Sequence, residues 1–343
     1  MWSFHKLEPV RRSLGQCRSI FMLSAFGLLS YGFISNHSFG TEPTLLHPLP
    51  FAVSSFGAVA TQDSIFVFGG HVAPVHEWSK QAVIGNFFKL DLKNLSNSTW
   101  TTLDQEQALQ GMNIVAYKKN IYRVGGMEPQ NKKGEDADNF SVKTVSRYSL
   151  EQKQWEAFKP LPQPRSSHDV ILNNGRLFTI GGWDMQGDSG GQVWCDTIDC
   201  IDLNDPDAEW QSIHQPFMRR ALIAAEFQDC IWVIGGFTDE EEITREVNIY
   251  NPKNNSWKLG PRLPEGQFNG FASAACVFEN QLIVSVADGT LVKLSSDHKD
   301  WGVITKVSPR IVHRIVPANS GVVLIGGAHN GHNLDTVEFI TIP

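Results

Sequence analysis

Short apolar strands that end in a glycine doublet recur along the chain. Five copies are clear, and their doublets lie at Gly69-Gly70, Gly125-Gly126, Gly181-Gly182, Gly235-Gly236 and Gly326-Gly327. Their spacings of 56, 56, 54 and 91 residues leave room for one more copy in the last interval. The segment QLIVSVADG fills it, with Ala287-Asp288 in place of the doublet. Self-similarity at such a period predicts a repeat architecture, here of six units.

A tryptophan follows each of the first five copies, at Trp100, Trp155, Trp210, Trp257 and Trp301. Between doublet and tryptophan lies another apolar strand, such as REVNIYNP or TVSRYSLE, and then a short polar turn. Alternating strands joined by turns favour an antiparallel meander. Each unit is therefore predicted to contain four strands, with the longest loop between the second and the third.

The two ends of the chain are complementary. After Gly326-Gly327 only one strand remains, TVEFITIP, so the last unit lacks its fourth strand. Residues 44–50, TLLHPLP, resemble the segment that follows the tryptophan in complete units. We expect them to supply the missing strand, because a closed ring removes exposed sheet edges.

The stretches TREVNIYNPKNNSWKLGPRLP and LPQPRSSHDVILNNGRLFTIGG carry the two halves of a known pattern. They resemble the kelch repeat, and the resemblance covers nearly everything after residue 40. It implies an all-β, six-bladed kelch β-propeller closed by an N-terminal strand that completes the last blade. The expected single domain spans 41–343, with blades at about 51–105, 109–159, 163–214, 217–261, 266–304 and 308–343 plus 44–50.

Residues 1–40 have the features of an export signal. Arg11, Arg12 and Arg18 precede an apolar run over 20–34, and Ser38-Phe39-Gly40 offers small residues for cleavage. The sequence thus predicts a secreted or periplasmic protein. An uncleaved anchor is the alternative, and it would be the chain's contact with a membrane.

Composition narrows the possible partners. Hydrophobic residues make up 41% and charged residues 19%, which suits a packed globular fold. A net charge of -7 without a basic stripe argues against nucleic acid. Beyond the signal, Cys195, Cys200, Cys230 and Cys276 lie in strand patterns without a CxxC pair, so we expect free thiols rather than a zinc site.

Arginines stand before the first strand of several units. By resemblance to kelch domains that bind acidic partners, Arg165, Arg219 and Arg310 are expected to ring the channel mouth and hold a carboxylate. His168, His313 and Trp183 lie close by and complete the candidate ligand site. Arg220 and Arg314 also stand at the entrance to a first strand. The alternative is that these arginines pair with neighbouring acidic loops.

Two further sites follow from the loops. His71 and His76 in the first blade and His329 and His332 in the sixth are candidate metal ligands. The spacing does not require a metal, so no metal and no cofactor is assigned. Resemblance in size and export signal to bacterial sialic acid mutarotases implies a catalytic glutamate, with Glu77, Glu240, Glu241 and Glu242 as candidates.

Three functions remain open at the level of sequence. The first is a binding module for a carbohydrate or acidic ligand, since Trp78, Trp183 and Trp194 near the long loops offer flat rings to a sugar. The second is a mutarotase or epimerase acting on a sugar acid of the N-acetylneuraminate type. The third is a protein-interaction scaffold. Whether the chain is an enzyme is left undecided.

Overall fold

A computed structural model describes residues 42–343, in which six four-stranded antiparallel sheets are arranged as blades. The predicted export signal lies outside the described residues. From the innermost to the outermost strand, the blades are Gly57–Ala60, Ser64–His71, Val83–Asp91 and Thr101–Leu103 (blade 1); Asn113–Tyr117, Asn120–Val124, Val145–Ser149 and Gln154–Phe158 (blade 2); Asp169–Asn173, Arg176–Ile180, Thr197–Asp202 and Gln211–His214 (blade 3); Ile223–Phe227, Cys230–Ile234, Val247–Asn251 and Ser256–Leu259 (blade 4); Ala274–Phe278, Gln281–Ser285, Thr290–Leu294 and Trp301–Lys306 (blade 5); and Arg314–Ala318, Gly321–Ile325, Val337–Thr341 and Thr44–Leu45 (blade 6).

Four small two-stranded ladders extend from the blades on one face. They pair Met127–Pro129 with Asn139–Ser141, Trp183–Met185 with Gln192–Trp194, Arg219–Arg220 with Phe237–Thr238, and Ala328–His329 with His332–Asn333. Helical structure in the described residues is limited to short turns at Lys80–Ala82, Leu95–Asn97 and Gly187–Gly190. None of the described helices is long and apolar enough to span a bilayer.

The ring closes where the sequence predicts it. Thr44 and Leu45 pair antiparallel with Phe339 and Glu338, which makes the N-terminal strand the outermost strand of blade 6. Blade 1 holds the same segment, because the Trp100 indole N–H donates to the carbonyl of His47 over 3.2 Å. The six-bladed propeller with this closing strand is thereby confirmed.

The apolar core consists of layers between neighbouring blades. The layer at the seam combines Ile65, Val67 and Phe88 of blade 1 with Val323 and Val337 of blade 6. Comparable layers lie between the other blades along the ring. Burial of apolar side chains between sheets therefore holds the ring together from blade to blade.

The glycine doublets are contacts between blades. Gly125 has a φ of 57°, and a Cβ atom there would lie 2.6 Å from the carbonyl oxygen of Arg165 in the next blade. Its neighbour Gly126 donates its backbone N–H to that same carbonyl over 2.9 Å. The second glycine of every intact doublet donates to the next blade in this way: Gly70 to Leu109, Gly126 to Arg165, Gly182 to Arg219, Gly236 to Gly270 and Gly327 to Val53.

A second set of hydrogen bonds encircles the channel mouth. One residue per blade has a positive φ and donates its N–H to the carbonyl of its counterpart in the preceding blade, over 2.7–3.0 Å. The six residues are Ser55, Gly111, Ser167, Ala221, Ala272 and Val312. The backbone itself thus forms a closed ring two residues before each innermost strand.

Polar side chains cross the channel just inside this ring. Arg314 of blade 6 donates to the carboxylate of Asp169, in the opposite blade 3, over 3.1 Å. The same guanidinium donates to the carbonyls of Phe56 and Met112, and Asn113 donates to Asp169 over 2.7 Å. A cavity of about 250 Å³ lies along the innermost strands. Asn113, Asp169 and Arg314 are among the residues that line it.

Candidate functional site

The face that carries the four small ladders also carries the connections from each blade to the next, because both lie where the innermost strands begin. We call it the loop-bearing face. Its loops are linked to one another around much of the ring. The side chain of Asn333 in blade 6 donates to the carbonyls of His71 and Ala73 in blade 1, over 3.0 and 2.9 Å.

The links continue into blades 2 and 3. The backbone N–H of Lys80 donates to the carbonyl of Asn131, whose side chain donates to the carbonyl of Trp78 over 2.6 Å. The N–H of Asp188 donates to the carboxylate of Asp138 over 3.1 Å. The loops of blades 6, 1, 2 and 3 therefore form a connected wall, which we call the rim.

Three predicted anion-binding arginines lie inside the blades. Arg165, Arg219 and Arg310 have at most 2% of their surface exposed. Arg165 forms a 2.8 Å ion pair with Asp199, Arg219 lies 3.6 Å from Glu246, and Arg310 pairs with Glu338. Each also donates to the carbonyl of the first glycine of its own blade's doublet, at Gly181, Gly235 and Gly326.

The structure does not bring these three arginines together at the channel mouth, where the ligand site is expected from the sequence. These guanidinium groups have partners within their own blades, and none lines the central cavity. Burying an arginine is costly unless it is paired and hydrogen-bonded. Asp199 and Glu338 lie in the third strands of their blades, and Glu246 directly precedes the third strand of its blade. The alternative reading, that the arginines pair with nearby acidic residues, fits their surroundings.

His168 and His313 are also buried, at 3% and 2% exposure. The Nε2 atom of His168 lies 3.1 Å from the carbonyl oxygen of Val124, and that of His313 lies 3.0 Å from the hydroxyl of Ser285. Burial, with the charges of Arg165 and Arg314 adding to it, lowers the pKa of His168 to about 3. Burial likewise lowers the pKa of His313. Both rings pack beneath the mouth and do not face solvent.

Arg220 differs from the three buried arginines. Its guanidinium carbon lies 4.2 Å from the ring centroid of Trp183 and 4.7 Å from that of Phe237, so the cation lies over both aromatic rings. It donates no hydrogen bond within residues 42–343, and its Nε is buried without a partner. Burial lowers the pKa of Arg220 to about 10, with the carboxylate of Glu241 acting in the opposite direction. The group is therefore charged at neutral pH.

Local structure explains why Arg219 and Arg220 have opposite environments. Successive residues of a strand point to opposite sides. Arg219 faces the blade. Arg220 pairs with Phe237 on the neighbouring short strand, and its guanidinium contacts the ring of Trp183 from the preceding blade. The sequence carries a signal for this arrangement, since Trp183 and Phe237 each follow a glycine doublet in successive blades.

Further rings extend this stack along the face. The ring centroids of Trp183 and Trp194 are 5.5 Å apart, and those of Phe237 and Phe271 are 6.2 Å apart. We call the five residues Trp194, Trp183, Arg220, Phe237 and Phe271 the aromatic row. Exposed apolar side chains also lie on the loops of blades 3 and 4 and on the adjoining connections: Val193, Met218, Ile243 and Phe268.

The candidate catalytic glutamates lie on two separate loops. Glu77 approaches Lys133 of blade 2 at 3.3 Å, across the rim. Glu240, Glu241 and Glu242 form the exposed tip of the hairpin that contains Phe237. Of these four, Glu241 is the one whose charge acts on Arg220.

The candidate metal ligands and thiols have ordinary environments. His71 is 5% exposed and its Nε2 lies 2.8 Å from the carbonyl oxygen of Glu77, while His329 and His332 face each other in a hairpin. His76 packs edge-on against Trp78 at 5.5 Å. Within residues 42–343, no group of three or more potential ligands is arranged around a metal position. The four cysteines of this region are free thiols.

Comparison with known proteins gives matches to kelch-repeat domains and to proteins similar in sequence. The family model described as KLHDC2/KLHL20/DRC7 Kelch-repeats domain matches residues 55–286. Kelch-like protein 35 from Mus musculus is 26% identical over 240 residues, 69% of this chain and 36% of that protein. Beta-scruin from Limulus polyphemus is 24% identical over 278 residues, 74% of this chain and 28% of that protein.

The solved structures agree at the level of fold. The structure of YjhT superimposes with a TM-score of 0.69 at 15% identity, covering 87% of this chain and 97% of that one. The chain spans only about a third of the length of the curated relatives named above. On the family match, which covers more than half of the sequence, the chain belongs to the kelch-repeat family.

Proposed function

We propose that this propeller is a protein-interaction module that binds a partner through its loop-bearing face, with Arg220 receiving a carboxylate of the partner. The observation that carries the proposal is the stacked guanidinium, which has no hydrogen-bond acceptor within the described residues. The expected acidic ligand is thus retained, and its binding residue becomes Arg220 instead of Arg165, Arg219 and Arg310.

The chemistry of the stack supports a carboxylate. Cation–π contact with two aromatic rings leaves the N–H donors of the guanidinium without a hydrogen-bond acceptor within the described residues. A carboxylate can accept two of these bonds in parallel, and neighbouring apolar surface strengthens them by excluding water. The exposed side chains of Val193, Met218 and Ile243 offer such surface around the contact. Aromatic and arginine side chains dominate the binding energy of many protein interfaces.

Selection from a random dodecapeptide display library on the purified protein tests the proposal. We expect enriched peptides to carry an acidic residue or to need a free C-terminus. Their affinity, measured by fluorescence polarisation, should fall about tenfold or more for Arg220→Ala. Arg220→Lys should also bind weakly, because an ammonium cannot reproduce the stacked, bidentate fork.

Arg176 provides the matched control. It is a partly buried arginine stacked on Phe178 at 5.0 Å, and it lies at the opposite end of its blade. Arg176→Ala should leave peptide affinity unchanged. Selected peptides that bind Arg220→Ala as tightly as the unmodified protein would refute the assignment, and so would a library that yields no binders.

A sugar-acid mutarotase is the second candidate, favoured by the charge of Glu241 acting on Arg220. Arg220 would hold the sugar carboxylate, the ring of Trp183 would stack on the pyranose, and Glu241 would serve as the proton donor for ring opening. Anomer exchange of N-acetylneuraminate, followed by NMR, decides this candidate. Exchange at the buffer rate rules it out, whereas acceleration that is lost in Glu241→Gln supports it.

A further inference from the structure

The dipeptide Asn-Gly occurs three times in the chain, at Asn174-Gly175, Asn269-Gly270 and Asn330-Gly331. An asparagine side chain converts to a carboxylate most readily before glycine, because a residue without a Cβ leaves its own backbone nitrogen unshielded. The structure places the three copies in different surroundings, so their susceptibility to this reaction differs.

Two of the copies are held by neighbouring groups. Asn269 is 2% exposed, and its Nδ2 donates to the carbonyls of Pro264 and Glu265 over 3.4 and 3.3 Å. Asn174 donates to the side-chain oxygen of Asn173 over 3.3 Å. In both copies the side-chain amide must leave its partners before it can react.

The third copy is exposed and free. Asn330 and Gly331 form the tip of the blade 6 hairpin, between the paired residues His329 and His332. Neither the Asn330 side chain nor the Gly331 N–H has a hydrogen-bond partner within residues 42–343. A Cβ added at Gly331 would have no neighbour within 4 Å. The hairpin contains only two residue pairs, so the turn can open locally at little cost.

We propose that Asn330 is a site of spontaneous deamidation, with water as the co-reactant. The backbone nitrogen of Gly331 bonds to Cγ of Asn330 while the Cγ–Nδ2 bond breaks, and the proton of the N–H leaves with the amide as ammonia. Water then opens the five-membered imide at one of its two carbonyl carbons. One opening gives aspartate. The other gives isoaspartate, in which the main chain runs through Cγ and is longer by one methylene group.

The modification lies where the rim crosses from blade 6 to blade 1. Asn333 belongs to the same hairpin, and its side chain donates to the carbonyls of His71 and Ala73. A two-residue turn with an extra main-chain methylene cannot keep the register of His329 with His332, and that register positions Asn333. Isoaspartate in the turn should therefore release this link between the blades. Aspartate keeps the original main chain and should leave the link in place.

Peptide mapping of aged protein by mass spectrometry tests the site. The protein is held in mildly alkaline buffer, and the other two Asn-Gly copies serve as controls in the same sample. We expect Asn330 to convert about tenfold or more faster than Asn174 or Asn269, because the held copies react only after local opening. Asn330→Gln should stop conversion in this hairpin, since its imide would need a six-membered ring. Conversion at Asn330 that is absent, or no faster than at the other copies, would overturn the proposal.

Hydrogen–deuterium exchange tests the effect on the seam. The N–H of Leu334 donates to the carbonyl of Gly327 over 2.8 Å, directly after Asn333. This N–H should exchange faster in aged protein that contains isoaspartate than in fresh protein or in Asn330→Asp, which carries the charge without the extra methylene. Equal exchange in all three samples would contradict the loosened link. Peptide affinity at Arg220 should not change in any of them, so this test and that of the proposed function fail separately.

Discussion

At the scale of single residues, the arginines before the first strands have two different environments: three are buried in ion pairs, and Arg220 contacts aromatic rings. Their place before each first strand was visible in the sequence, but whether a guanidinium faces the blade or the solvent depends on one step of strand alternation. Arg219 and Arg220 are neighbours in the chain, yet the first is 2% exposed and paired while the second is stacked and unpaired. Acidic partners such as Asp199 come from the third strand, about thirty residues away, so local sequence could not reveal the pairing.

Buried histidine predicts a dependence of stability on pH. The pKa of His168 is about 3 in the folded protein against a usual value of 6.5, so the unfolded chain binds more protons between these values. The free energy of unfolding should therefore fall as the pH drops below 6.5, by about 1.4 kcal/mol per pH unit from this group. Urea unfolding at several pH values between 7.5 and 5 measures the slope. His168→Gln should reduce the slope by this amount while buried His313 keeps its own contribution, and an equally steep slope in that variant would contradict the prediction.

At the scale of the repeat element, the glycine doublet could be recognised from sequence but its role could not. The doublet suggested a tight turn, whereas the structure shows it as the point where neighbouring blades touch. Blade 5 illustrates the difference. With Ala287-Asp288 in place of the doublet, a four-residue turn joins the second and third strands of this blade.

Substitution within a doublet tests its role. Gly125→Ala should destabilise the protein by about 2–4 kcal/mol, because the new methyl group meets the Arg165 carbonyl at 2.6 Å and the backbone has a φ of 57°. Gly302 is the control, an exposed strand glycine whose added Cβ would have no neighbour within 4 Å. Gly302→Ala should change stability by no more than about 0.5 kcal/mol. Chemical denaturation of both variants makes the comparison, and equal losses would refute the contact role.

At the scale of the whole molecule, the sequence predicted both the ring and its seam, because a missing strand at one end and a spare one at the other are visible in the repeat. The paired part of the closing strand is only two residues long. Side chains after this strand contribute more to closing the ring. Leu49, for example, is 4% exposed and belongs to the apolar layer shared by blades 6 and 1. Export of the chain through residues 1–40 stays a prediction, and cell fractionation would test it.

The seam predicts a contrast between two leucines. Leu49→Ala should cost about 2–5 kcal/mol of unfolding free energy, as expected for a buried leucine. Leu161, at the corresponding place after blade 2 and 2% exposed, should show a similar loss in Leu161→Ala. Leu45 is 71% exposed although it lies in the closing strand, so Leu45→Ala should be nearly neutral. Denaturation curves of the three variants measure these losses. An unchanged free energy of unfolding for Leu49→Ala would mean that the seam contributes little to stability.

The ion pair between Arg314 and Asp169, which spans the channel beneath the mouth, also constrains the number of blades. If one blade were duplicated, the backbone ring of hydrogen bonds could still close, because every blade brings its own donor and acceptor. Arg314 and Asp169 could not adjust in the same way, since they lie opposite each other and span the diameter of a six-membered ring. A seventh blade would widen that diameter and separate two opposite buried charges from each other. This ion pair therefore opposes the addition of a blade, which the backbone ring of hydrogen bonds alone would tolerate.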